Sequence, residues 1–312
     1  MDKKDSKILH ELSKNARISL KRLAKAISMS QSSTLYRLKK LEEENIILGT
    51  NAIINSYKLG YLGFRAYLFL QGTTKEKENE IQDWLVNRDE TSVIGITQNS
   101  EELIIMSWVK STQEFYGFVE SLKETYGEFI KDFQIFPYVG TVYYPRNYLN
   151  PGSKGQEIVV RTTEKVDYDS LDLAILEKLS TDGRKAALEI SKELGKPVKT
   201  VINRMRKLEK KKVIAGYSAN ININKIGYEY YKLNLIFSKS VNYNMLLAFA
   251  KNLNNSIYVD EAISKYDFEL NVEVRNKKEL NKIIDQLKEL CGGIKHMEIK
   301  QLNKYIKLKF LS

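Results

Sequence analysis

Gln31, Ser32, Ser33, Tyr36, Arg37, Lys39 and Lys40 fall within one ten-residue stretch that mixes an amide, short hydroxyls, a phenol and cations. Hydroxyls and amides of this kind bond phosphates or base edges, while arginine and lysine neutralise a nucleic-acid backbone. A second set, Lys199, Thr200, Asn203, Arg204, Arg206, Lys207 and Lys210, offers the same chemistry with more charge. Lys211 and Lys212 extend it. Groups for covalent or metal chemistry are sparse. The chain has two histidines, His10 and His296, and one cysteine, Cys291, before Gly292 and Gly293. The histidines read as surface or packing residues and Cys291 as a small core residue. No metal-ligand cluster, phosphate-cradling glycine loop or nucleophile–base pair emerges from the spacing. No cofactor and no enzymatic activity are therefore expected, and the expected partner is double-stranded DNA.

The elements that position these residues are written twice. Aligning the chain with itself at an offset of 167 brings Asp5 onto Asp172 and Ile8-Leu9 onto Ile175-Leu176. Arg17 then meets Arg184, Arg37 meets Arg204, and Gly60-Tyr61 meets Gly227-Tyr228. Nearly a third of about 65 ungapped positions are identical, which marks a duplication. Pro145 to Gly155 is rich in turn formers and separates the copies. Gln156 to Ser170 reads as a partly extended connector in which Ile158-Val159-Val160 can pair on a sheet edge.

Within copy one, helices are expected over 6–12, 20–27 and 31–44, with Ser30 capping the third. Thr34, Leu35, Leu38 and Leu41 are expected to face inward. Residues 46–49 and 52–54 read as a short two-stranded wing. Copy two repeats the plan over 172–179, 187–194 and 198–211. Strands and helices then alternate: 64–70, 75–88, 92–98, 103–109, 113–126 and 131–144, and in copy two 230–237, 243–253, 257–264, 268–274, 278–291 and 294–308. The order strand-helix-strand-strand-helix-strand predicts a ferredoxin-like domain. The fold class is α+β, with winged helix-turn-helix domains at 1–55 and 171–222. Ferredoxin-like βαββαβ sensor domains follow at 60–145 and 227–312, with a linker at 146–170.

Residues 30–47 resemble the recognition-helix signature of the leucine-responsive (Lrp/AsnC) regulators, and residues 171–184 resemble the same family. The resemblance covers nearly the whole chain, as a tandem fusion. It implies a small-molecule sensor, and sensor sheets packed face to face as an intrachain pseudo-dimer that can assemble further into homo-oligomers. The family's effector pocket involves a Gly-x-x-Asp turn. By the same offset the candidates are Thr97, Gln98, Asn99 and Ser100, and Ser264, Lys265, Tyr266 and Asp267. Only Asp267 matches the pattern. Pro197 stands where copy one has its capping serine. Asn45 and Lys212 stand where the family favours glycine.

The formal charge is +11. Residues 1–150 carry 20 Lys+Arg and 19 Asp+Glu, and the remainder carries 30 and 20, so the excess sits in copy two. Such a balance suits a polyanion. No apolar run reaches the roughly 20 residues needed to span a bilayer, and the N-terminal residues lack a signal-peptide pattern. The expectation is a cytoplasmic, sequence-specific transcriptional regulator, with no membrane partner. Two alternatives stay open. One is a siroheme decarboxylase-like tetrapyrrole enzyme on the same two-domain plan. The other is a non-specific architectural DNA binder.

Overall fold

Short helices build each head. In copy one these are α1 (Lys3–Lys14), α2 (Leu20–Ala26) and α3 (Gln31–Glu43). Asp2 and Asp5 close a capping box on α1, and the Ser30 hydroxyl accepts from the Ser33 amide to start α3, satisfying N–H groups that have no partner within the helix. Strand β1 (Ile47–Ile54) leads into the first sensor domain, made of β2 (Leu62–Leu70), α4 (Lys75–Val86), β3 (Thr91–Thr97), β4 (Glu102–Val109), α5 (Thr112–Tyr126) and β5 (Ile130–Tyr143). The connector contributes β6 (Ile158–Arg161), paired with the end of β5 as the apolar triplet foretold. Copy two runs α6 (Ser170–Thr181), α7 (Ala187–Glu193), α8 (Val198–Lys210), β7 (Ile214–Ile221), β8 (Glu229–Phe237), α9 (Tyr243–Asn252), β9 (Ser256–Ala262), β10 (Phe268–Val274), α10 (Lys277–Cys291) and β11 (Ile294–Leu308). The computed structural model describes residues 1–98, 102–153 and 155–309.

The heads do not stand apart. Residues 46–54, expected to fold on themselves as a hairpin wing, instead hold the single strand β1, which pairs antiparallel with β7 of the other copy. Asn51 faces Ser218, its own counterpart at the 167-residue offset, so the pseudo-two-fold axis passes between them. A strand this apolar buries better against its duplicate than folded back over a polar turn. One hydrophobic core serves both heads, with Ile8, Leu9 and Leu41 meeting Ile175, Leu176 and Leu208. The approach is close: a Cβ on Gly183 would lie 2.7 Å from the Asn51 carbonyl carbon.

Two matching arginines lock the arrangement. Arg17 donates to the carbonyls of Gly183 (2.6 Å) and Lys185 (3.0 Å), and Arg184 donates to those of Ala16 (2.5 Å) and Ile18 (3.2 Å).

The two ferredoxin-like sheets face each other within the chain, and they also join at both edges. The first part of β5 pairs with β2, and its end, from Tyr138, pairs with β9. Likewise β11 pairs with β8 up to Leu302 and with β3 beyond it. The strands therefore close in the ring β2-β4-β3-β11-β8-β10-β9-β5, an eight-stranded barrel. Helices α4 and α5 cover the outer face of one half, and α9 and α10 that of the other. Period-two alternation assigns each strand's faces. Along β10, Phe268, Leu270, Val272 and Val274 pack with the helices, while Glu269, Asn271 and Glu273 fall on the opposite face, inside the barrel. Barrels of eight strands enclose just enough room for side chains or one small ligand.

Candidate nucleic-acid interface

The third helix of each head carries the residues singled out from sequence. On α3, Gln31, Ser32, Ser33, Tyr36, Lys39 and Lys40 are all exposed, Tyr36 by 70%. Thr34, Leu38 and Leu41 turn inward as expected, but Leu35 is 40% exposed and joins the outer face. Its neighbour Tyr36 is three residues from Ser33, so both reach the same side of the helix. The Ser30 hydroxyl holds those of Ser32 (3.1 Å) and Ser33 (2.9 Å) in a cluster at the helix start.

On α8, Lys199, Asn203, Arg206, Lys207 and Lys210 are exposed and Thr200 is half-buried. Among the described residues none of those four cations makes an ion pair, whereas Lys40 lies 3.7 Å from Glu44. Helix α3 ends in Glu42 and Glu43 and is followed by Glu44 and Asn45; the matching positions of copy two are Glu209, Lys210, Lys211 and Lys212. The two heads thus share a geometry and differ sharply in charge. Pro197 starts α8 without a side-chain cap, as its sequence implied. Asn45 (φ 52°) and Lys212 (φ 58°) occupy the left-handed region of the backbone.

The structure places Arg37 and Arg204 in ion pairs within their own heads. The Arg37 guanidinium bonds Asp2 and Asp5 at 2.7 Å each, and Arg204 lies 2.7 Å from Asp169 and 3.1 Å from Asp172. These pairs tie the third helix of each head to the capped start of its first, and their hydrogen bonds raise both guanidinium pKa values. Asp2, bonded by the Asp5 amide and by Arg37, is held down at about 2. In the structure the charge of both arginines is matched within the chain.

The expected effector turn also reads differently. Copy two has two residues fewer between its first and second sensor strands, so the end of β3, Thr97, corresponds to Ala262 rather than Ser264. The Thr97 hydroxyl donates to the Glu102 carbonyl (3.2 Å), and Ser264 donates to Glu269 (3.1 Å). Asp267 accepts from the Phe237 amide (2.8 Å). Ser100 and Asn99 lie outside the described residues. His10 is buried, with Nδ1 3.1 Å from the Arg146 carbonyl and Nε2 3.2 Å from the Ser153 hydroxyl; burial lowers its pKa. Cys291, the last residue of α10, packs in the core, and His296 is exposed.

A second constellation escaped sequence reasoning. Inside the barrel, Arg65 on β2 meets Glu269 on β10 (2.8 and 2.5 Å). Lys232 on β8, the counterpart of Arg65, pairs with Glu269 (3.0 Å) and with Asp260 on β9. Arg146 pairs with Glu273 through two bonds of 2.9 Å. Burial works against the charges of Asp260 and Glu269, yet Lys232 and Arg65 beside them hold both carboxyls below their ordinary range. The signal was there in β10, where Glu269, Asn271 and Glu273 occupy every second position of an otherwise apolar strand, and in Lys232 and Asn234 two apart on β8. Among the described residues no group of three or more His, Cys, Asp or Glu is placed to hold a metal ion, and no helix is long and apolar enough to cross a membrane.

Two recognition-type helices on one locked body define a helix-turn-helix protein, and sequence comparison agrees. A winged helix-turn-helix DNA-binding family model matches residues 1–47 and an AsnC-type helix-turn-helix domain model matches residues 169–209. An HTH-type transcriptional regulator of Pyrococcus furiosus is 33% identical over 132 residues, 40% of this chain and 88% of that protein. The HTH-type transcriptional regulator Ptr1 of Methanocaldococcus jannaschii is 32% identical over 99 residues, 32% of this chain and 67% of Ptr1. The chain belongs to the Lrp/AsnC-like family of helix-turn-helix transcriptional regulators. Among solved structures, the siroheme decarboxylase NirDL matches 99% of this chain and 93% of its own length with a TM-score of 0.62. Identity there is 13%, so the likeness is one of fold.

Proposed function

We propose that this chain regulates transcription by reading an asymmetric duplex site through α3 and α8 together. The observation that carries the reading is the pair of exposed polar and cationic helix faces fixed on a single core by β1–β7 pairing and the Arg17 and Arg184 bridges. In the helix-turn-helix mode the second helix of the motif enters the major groove, and residues near its N-terminus meet base edges. Gln31, Ser32, Ser33 and Tyr36 supply such groups in copy one. Lys199, Thr200 and Asn203 supply them in copy two, followed by Arg206, Lys207 and Lys210 along the phosphates. Copy one, near neutral at the end of α3, contributes selection; copy two contributes affinity through charge. Because the partner head is part of the same chain, pairing does not depend on concentration.

The test is a binding titration of the full chain against duplexes built from two unlike half-sites and from inverted repeats of each. The mixed duplex binds tightest and survives competitor DNA. Equal affinity for both inverted repeats would contradict asymmetric reading, and competition by any duplex would support an architectural binder instead. A tetrapyrrole enzyme on this fold would have to bind a polycarboxylate. Here the buried cations Arg65, Lys232 and Arg146, and Lys300 opposite Lys232 on β11, already have carboxylate partners. The absorbance spectrum of the purified chain with added siroheme tests that alternative, and no tight complex is expected.

A further inference from the structure

The barrel encloses a cavity of about 560 Å3, within the 300–1,000 Å3 range of small-molecule sites. Its walls are unlike. The sheet of copy one contributes Val93, Gly95, Ile104, Met106 and Trp108, an apolar surface interrupted by Arg65. The sheet of copy two faces it with Tyr230, Lys232, Tyr258, Asp260, Asn271 and Glu273. Tyr138, Tyr143 and Tyr305 join from the two long shared strands. The rings form a connected cluster: Tyr143 meets Tyr258 edge-on at 5.1 Å, and Tyr230 lies 6.4 Å from Tyr305.

Charge narrows the occupant. Of the lining cations, Arg65, Lys232 and Arg146 are matched by Asp260, Glu269 and Glu273, and the exposed Lys304 alone makes no ion pair among the described residues, so an anionic ligand inside the barrel would have to break a buried pair to find a counter-charge. Hydrogen-bonding capacity is nevertheless left over: Arg65 Nε has no hydrogen-bond partner among the described residues. Burial raises the pKa of Tyr138, Tyr143, Tyr230, Tyr258 and Tyr305, which keeps their hydroxyls protonated. The mouth is lined by Ser218 to Asn224, the end of β7 and the turn after it. That strand pairs with β1 at the centre of the two heads.

We infer that the barrel interior is the effector site of this regulator, and that it takes a planar heteroaromatic molecule without net charge. One face of such a ligand lies on Met106, Ile104 and Trp108; its polar edge meets the tyrosine hydroxyls and Asn271. The inference rests on the regulator reading, because occupancy is signalled to DNA through β7. It places the site away from the Thr97 and Ser264 turns.

The chain has two tryptophans, and only Trp108 lines the cavity; Trp84 packs on Phe118 and Tyr126 outside the barrel. In the full chain carrying Trp84→Phe, Trp108 fluorescence reports the cavity directly. It is titrated with a panel of uncharged planar heteroaromatics (adenosine, guanosine, riboflavin) and zwitterionic tryptophan, with uroporphyrin III as the polycarboxylate. At least one uncharged or zwitterionic probe gives a saturable change and shifts DNA affinity in the same samples. Val93→Phe with Met106→Phe, which fills the apolar wall, weakens that probe by about tenfold or more. If the double variant fails to fold, Met106→Phe alone serves, with a loss of roughly threefold. Absence of saturation across the panel, undiminished binding in the filled variant, or preference for uroporphyrin III overturns the assignment. Saturable binding without any change in DNA affinity removes the effector role. Failure of the ligand-free chain to bind DNA, with the Trp108 response intact, counts against the regulator reading and leaves the cavity site standing.

Discussion

Arg65 ties the two halves of the barrel together, and replacing it with methionine tests that closure. The Arg65, Lys232 and Glu269 side chains are 4%, 4% and 3% exposed, and Asp260 is 16% exposed. With two cations facing two carboxylates, the cluster is neutral. Arg65→Met leaves one buried negative charge in excess, and removing one partner of a buried pair costs about 3–5 kcal/mol. At about 2–4 °C per kcal/mol for chains of comparable size, the midpoint of thermal unfolding falls on the order of 6–20 °C. Adding Glu269→Gln restores neutrality, with Lys232 and Asp260 still paired, and recovers most of the loss. The sign with pH follows from the same charge. In Arg65→Met the excess carboxylate has a folded pKa above its unfolded value, so protonation favours the folded state and the deficit shrinks on acidification. Scanning calorimetry of the four proteins of the cycle gives these values. A loss under about 1 kcal/mol, or a double variant no better than Arg65→Met, would refute the buried, barrel-closing pair.

Other substitutions probe the heads. Lys212→Gly relieves a left-handed backbone at φ 58° and, net of glycine's greater unfolded freedom, raises stability by about 0.5–1 kcal/mol in urea unfolding. His10 is buried with its pKa lowered, so the unfolded chain takes up its proton first and stability drops as pH falls below about 6.5. In His10→Gln the loss of melting temperature between neutral and mildly acid pH is smaller. Lys207→Ala with Lys210→Ala removes two phosphate-directed cations and flattens the slope of log K against log salt by about 1.8. Lys39→Ala with Lys40→Ala flattens it less, since Lys40 is already near Glu44. Arg37→Ala lowers melting temperature more than its DNA salt slope, because Arg37 is bound to Asp2 and Asp5.

The helices and strands were readable from periodicity because each buries one face locally. Helices α3 and α8 begin where Ser30 and Pro197 put them, and β11 spans the residues expected. What periodicity does not carry is partnership. Residues 46–54 have the apolarity of a wing strand, and nothing in them says that the partner is β7 rather than their own return. Strands β5 and β11 are long enough, at 14 and 15 residues, to serve two sheets, yet only the fold shows each changing neighbours at Tyr138 and Leu302. Arg37 looks like a DNA contact because its acids, Asp2 and Asp5, lie more than thirty residues away. The charges of β8 and β10 look solvated until the barrel closes around them. A two-residue shortening before β9 moved the correspondence of the sensor turns, which no ungapped alignment registers.

The account stands on two unlike readers held at one separation. Selecting bound duplexes from a random library with the full chain, then sequencing them, measures that directly. The account predicts enrichment of two different half-sites at a single fixed spacing, with information concentrated in the half read by α3. A perfect palindrome, variable spacing, or a pool no different from the input would contradict it.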